Sequence, residues 1–224
     1  YRLIIDSLFA NIDKSAVTSG TWYDRSAALA KLHDFNTYGP DTSSSQIYDQ
    51  AYFQLYHATY ANSQLLSPDD GRNVKEGIYR QGNIPIGIIN FAYQYLDTGA
   101  ISNNQIYESG GLYYDNPNRT TSPWRSKHLT MGAILADSVL DEGAGVNFVL
   151  SEPFFLQNDT KQISTVQIDF GDGAGLRTVS FGSTVNVSYQ QDGFKKITYV
   201  ITFTDNSQVT TYSALTSRYL PTGN

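Results

Sequence analysis

Three histidines, His33, His57 and His128, are all the imidazoles in the chain, and imidazole is the side chain best suited to proton transfer and metal binding near neutral pH. Their spacing supports neither role. Two histidines one helical turn apart with an intervening glutamate would make a metalloprotease face, and that arrangement is absent, as is any histidine at metal-ligand spacing from a carboxylate. A serine hydrolase of the α/β type presents Gly-x-Ser-x-Gly after a strand; the nearest stretch, Glu108-Ser109-Gly110-Gly111, does not match. The glycines from Gly171 to Gly175 superficially suggest a phosphate loop, but they lack the Lys-Ser/Thr that should follow and the helix whose N-terminus would hold the phosphate. A hairpin turn accounts for them. Carboxylate pairs for glycoside hydrolysis meet only in space, and the densest acidic cluster, Asp137, Asp141 and Glu142, reads as a solvated turn. Zero cysteines exclude disulfides, thiolate catalysis and Cys-ligated zinc. The expectation is a chain with no catalytic residues, no resident metal and no cofactor.

Two groups remain with chemical meaning. In Ile168-Asp169-Phe170-Gly171-Asp172-Gly173, Phe170 closes an inward alternation with Val166 and Ile168, and Asp169 points outward where it can accept from backbone N–H groups. Gly171 and Gly173 supply positive φ, and Asp172 caps the turn. Calcium favours oxygen ligands, which makes Asp169 and Asp172 a weak candidate pair, yet two carboxylates are a thin shell for it. A plain structural turn built on Asp169, Gly171, Asp172 and Gly173 is the preferred reading. The second group is Tyr113, Tyr114 and Trp124, in and beside the polar, proline-containing stretch from Tyr113 to Pro123, which reads as a long surface loop. Rings left in solvent there would stack on sugars.

The elements that must position these residues differ along the chain. From Gly145 onward apolar residues recur at every second position (Val146, Phe148, Leu150; Val166, Ile168, Phe170; Val185, Val187, Tyr189; Ile197, Tyr199, Ile201, Phe203), separated by turn signals. This is the pattern of short half-buried strands, at the spacing of a Greek-key β-sandwich. Ile84 to Tyr95 and Lys127 to Ala136 read as strands by period two. Ser43-Ser44-Ser45 offers an N-cap to a helix from Gln46 to Asn62, with Ile47, Ala51, Leu55 and Ala58 on one sector and Tyr48, Tyr52, Tyr56 and Tyr60 on the next. A short helix is expected over Asp24 to Leu32, and a turn over Ser67 to Gly71. The class is therefore α+β, divided into a helical N-terminal segment (1–82), a β-rich connecting region with the long loop (83–143) and a β-sandwich (144–224), the helical part packing on the β-rich remainder.

Composition narrows the partners. Fifteen Lys+Arg against 21 Asp+Glu give a net charge of −6 and a pI of about 4.9, which disfavours nucleic acid and acidic membrane surfaces. No apolar stretch approaches the roughly 18 residues that cross a bilayer, so no membrane insertion is expected, and any export signal is expected to have been removed or to lie outside the chain.

Asp169, Phe170, Gly171, Asp172 and Gly173 resemble the strand-turn signature of the polycystic-kidney-disease (PKD) family of Ig-like β-sandwich domains. Val185-Asn186-Val187-Ser188-Tyr189, Asp192-Gly193 and the long strand Phe194 to Thr204 suit the same family, so the resemblance covers about residues 144 to 215 and implies a Greek-key sandwich. More broadly, Leu8 to Ser15, Gly111 to Tyr114 and Val166 to Ser183 look like the N-terminal module of large secreted, surface-attached proteins of gliding-type bacteria, exported by the type IX secretion system. That resemblance implies an extracellular or cell-surface location in a Gram-negative bacterium. It also implies a non-catalytic role, adhesive, structural or accessory, toward other domains of the same chain, surface proteins or glycans. Pro221-Thr222-Gly223-Asn224 then reads as the entry to a linker. A carbohydrate-binding module using Tyr113, Tyr114 and Trp124 is the alternative, and a glycoside-active enzyme a more distant one. Asp6-Ser7-Leu8 and Asp137-Ser138-Val139 resemble the acceptor for O-glycosylation in these bacteria, at Ser7 and Ser138.

Overall fold

The computed structural model describes residues 7–15, 17, 39, 42–58, 68–136, 139–140, 145–158 and 161–218. Its central element is β1 (Asn83–Leu96), an almost continuous apolar run that is covered on both faces, as such runs require. Period two divides it: Ile84, Ile86 and Ile88 enter one core, Ile89, Phe91 and Tyr93 another. Beside it lie β4 (Trp124–Ile134), antiparallel, and β6 (Val146–Gln157), parallel, with β9 (Thr184–Val187) beyond β6, giving the order β4-β1-β6-β9. The second sheet runs β5 (Val139–Leu140), β11 (Gln208–Ser217), β10 (Gly193–Phe203), β7 (Ile163–Asp169), β8 (Arg177–Val179). The chain is a β-rich α+β structure, as its patterning predicts.

The two sheets face each other across a shared core that includes Ile86, Phe148, Val166, Ile168, Phe170, Val187, Tyr189, Ile201 and Phe203. The alternation expected of β7, β9 and β10 therefore points inward as read. Strand β6 carries an irregularity that the alternation does not reveal. Between Ile86↔Leu150 and Ile88↔Phe155 it spends five steps against two on β1, and these three extra residues, an odd number, reverse its parity. Leu150 faces the second sheet, whereas Phe154 and Leu156 face the opposite side.

That opposite side is covered by α1 (Ser45–Ala58) and α2 (Pro68–Arg80), making three layers. Ser44 Oγ accepts from Ile47 N at 3.2 Å and caps α1. Tyr48, Ala51, Tyr52 and Leu55, spaced i, i+3, i+4, i+7, form its buried stripe; the two tyrosines join the alanine and leucine rather than a separate sector. The Tyr48 ring lies where a Cβ on Gly87 would come within 2.5 Å, and its hydroxyl donates to Phe154 O at 2.6 Å. Residues 59–62 of the expected helix, and the expected helix at 24–32, lie outside the described residues.

One expectation is corrected. Pro68 to Gly71 opens α2 instead of forming a turn. Proline suits a first helical position because its missing N–H is unsatisfied there in any case, Asp69 and Asp70 occupy the first turn, and Arg80 the last. Gly82 follows with φ 74° and donates its N–H to Tyr79 O at 2.9 Å, a C-terminal cap. Strands from both sides of the expected boundary at 143/144 share one sheet, β1 and β4 lying with β6 and β9.

At one end of the first sheet, β2 (Ile106–Ser109) and β3 (Leu112–Asp115) form a hairpin over a small core of Ile12, Val17, Ala100, Ile106 and Trp124. Gly110 and Gly111, with φ 61° and 78°, make its two-residue turn, which accounts for the glycines that follow Ser109. No helix among the described residues is long and apolar enough to cross a membrane.

Candidate binding groove

The Asp169–Gly173 turn forms with the expected backbone roles and an added partner. Gly171 N donates to Asp169 Oδ1 at 2.9 Å and Ala174 N to Asp172 Oδ1 at 3.2 Å. Gly171 has φ 70°, and a Cβ there would stand 2.6 Å from Lys196 O. Beside the calcium candidates Asp169 and Asp172 stands Arg177, whose Nη2 lies 2.9 Å from both oxygens of Asp172 and whose guanidinium lies 4.8 Å from the centroid of the Phe170 ring. The cation at this turn is a side chain. The register Ile168↔Arg177 brings it there, and its place five residues after Asp172 was the readable signal. Tyr189 donates to Phe170 O at 2.9 Å, and burial raises its phenol well above the usual range. Among the described residues no group of three or more His, Cys, Asp or Glu side chains could hold a metal ion.

The three candidate aromatics are not brought together as a sugar platform. Trp124 is 6% exposed and donates Nε1–H to Asp13 O at 2.8 Å. Tyr113 stacks on Phe9 at 4.8 Å between centroids, and Tyr114 on Tyr107 at 5.5 Å. They sit on the strand β3 and the start of β4, which is why a loop reading overstated their exposure. His128 belongs to a polar set near the middle of the β1–β4 ladder. Asn90 Nδ2 donates to Lys161 O at 2.8 Å, which turns Asn90 Oδ1 toward His128 Nε2, also at 2.8 Å, and His128 Nδ1 faces the buried Thr130 hydroxyl at 3.3 Å. Ser7 is exposed; Ser138, Asp137, Asp141, Glu142 and His33 lie outside the described residues.

A groove of about 1020 Å³ lies elsewhere, beside the N-terminal half of α1. Gln46, Asp49, Gln50 and Phe53 contribute to it from one helical stripe, again i, i+3, i+4, i+7. Its buried base consists of Ile134, Ala136 and Leu215, and its rim includes Thr42, Thr216, Lys75 and Phe194. Phe194 is 78% exposed and Phe53 40%. Behind the groove Ser43 stitches the two sheets. Its N–H donates to Tyr212 O at 2.9 Å, its carbonyl accepts from Ala214 N at 3.2 Å, and its hydroxyl donates to Gly132 O.

Compared with protein-family models and with curated proteins, the chain matches none.

The groove therefore rests on its own geometry. Its residues escaped the sequence reading because Phe194 was counted with the strand of Ile197, Tyr199, Ile201 and Phe203. Those odd positions point inward, so an even-numbered phenylalanine on the same strand points out, and parity alone could have singled it out.

Proposed function

We propose that this chain is a non-catalytic binding module of a larger secreted, surface-associated protein of a Gram-negative bacterium, and that it holds its partner in the groove along α1. The observation that carries the reading is Phe194: a large apolar ring, 78% exposed, on the rim of the groove beside α1. Apolar groups with a polar surround at a concave site are the usual makings of recognition. The resemblance of the Asp169–Gly173 turn to PKD-like domains supports the extracellular setting, and the antiparallel run of β11, β10, β7 and β8 suits that resemblance. The parallel pairing of β1 with β6 is a departure from an Ig-like Greek key, so the PKD-like description is proposed for the second sheet and its turn and not for both sheets. Sugar binding through Tyr113, Tyr114 and Trp124 is not carried further, because the Trp124 ring is buried.

The test is co-sedimentation of the purified chain with insoluble bacterial cell-surface material. Saturable retention that falls in Phe194→Ala and survives in Tyr107→Ala is the expected result. Equal retention of all three proteins would place the contact elsewhere.

A further inference from the structure

We infer that the groove takes a segment of a neutral glycan chain. The inference rests on the binding-module reading and names its ligand class.

Charge is the first argument. The charged side chains among the described lining are Asp49 and Lys75, and these pair with each other at 2.8 Å. The described lining thus offers no uncommitted cation to a polyanion, and the net charge of −6 repels one. The remaining polar lining is neutral and double-natured: besides Ser43, Ser44 and Ser45 it has the Gln46 and Gln50 amides, which donate and accept, and the Thr42 and Thr216 hydroxyls, which do the same. That set suits sugar hydroxyls, which also donate and accept.

The second argument is Phe194. A ring this exposed contributes little to the core, but its free face can cover the C–H face of a pyranose, with Phe53 as a further apolar contact from α1. Volume is the third. About 1020 Å³ lies at the top of the range for small-molecule pockets and suits part of a chain better than one small metabolite.

A peptide strand is the main competitor, and at β11 the backbone argues against it. A peptide added to a sheet needs an unpaired edge. Beside the groove, the outer edge of β11 is taken by Ser43, which uses Tyr212 O and Ala214 N, and by β5, which pairs at Thr216 and Ser217.

Affinity electrophoresis decides the matter, with the purified chain run through native gels containing soluble β-glucan, xyloglucan or mannan, and alginate as the polyanion. The expected result is retardation by at least one neutral polysaccharide, weakened about tenfold or more in Phe194→Ala, weakened also in Gln50→Ala, and unchanged in Tyr107→Ala. Phe194 is exposed enough that its removal leaves the fold intact, and circular dichroism of the variant checks this. Retardation by alginate alone, or retardation that ignores both groove substitutions, overturns the inference. If no neutral polysaccharide retards the chain while Phe194-dependent co-sedimentation persists and is abolished by protease treatment of the surface material, the ligand is a protein: the glycan inference fails and the binding-module reading stands. Loss of both retardation and co-sedimentation removes both.

Discussion

Single contacts explain several residues that the composition leaves arbitrary. Gly87 and Gly132 both lie in the first sheet, and a Cβ at either would come within 2.6 Å of a tyrosine ring, Tyr48 from α1 in one case and Tyr199 from the second sheet in the other. Each glycine is a notch that lets a large ring approach the backbone. Gly87→Ala and Gly132→Ala should each destabilise by about 1 to 3 kcal/mol, the range for overpacking, measured by chemical denaturation. The Asp172–Arg177 pair makes a second residue-scale prediction. Removing the cation in Arg177→Met leaves a largely buried carboxylate without its partner, for a loss of about 1 to 3 kcal/mol. Calcium and EDTA should leave the melting temperature of the native chain unchanged, since the arginine already occupies the carboxylate; a rise of several degrees with calcium would restore the metal reading.

Elements were legible where one period ruled. Strands β7 and β10 have one face inward and one outward, and their alternation is plain; β1 is covered on both faces, so its periodicity was masked by a continuous apolar run, though its class was still read correctly. Helix α2 was lost because Pro, Asp and Gly are turn residues as well as helix-start residues, and its anchors Val74 and Ile78 are too few to announce a period. The groove was less legible than any element, since it is made from the end of β4, the start of β10, the end of β11 and the stripe of α1, which meet only in three dimensions. The same sharing has a consequence for truncation. A fragment of residues 144–224 keeps the second sheet's long strands but strips β1 and β4 from β6, uncovering Val146, Phe148 and Leu150 and removing Ile84, Ile86, Ile88 and Ile134 from the core. It should show no cooperative thermal transition, whereas a sharp melt by circular dichroism would mean that the fragment is an independent domain.

At the scale of the whole molecule, buried tyrosines set an alkaline limit on stability. Burial raises the phenols of Tyr48, Tyr189 and Tyr199 above their ordinary value of 10.0. A raised value in the folded state means that this stabilisation is complete below pH 10 and is lost above it, as the unfolded chain releases protons that the folded chain retains. With three such groups the slope reaches at most about 4 kcal/mol per pH unit. Unfolding by base should therefore be steep and cooperative from about pH 10 upward, with tyrosinate absorbance rising together with the loss of circular dichroism. Tyrosinate absorbance from these rings that precedes the structural change would contradict it. The same three-layer packing that buries these rings leaves Phe194 and Phe53 outside, on the groove. Hydroxyl-radical footprinting of the chain with and without bacterial cell-surface material asks directly whether that groove is where the molecule works. Protection of Phe194 and Phe53 on binding, with Tyr107 unchanged, is the predicted result; a bound chain in which Phe194 reacts as freely as in the unbound one contradicts the account.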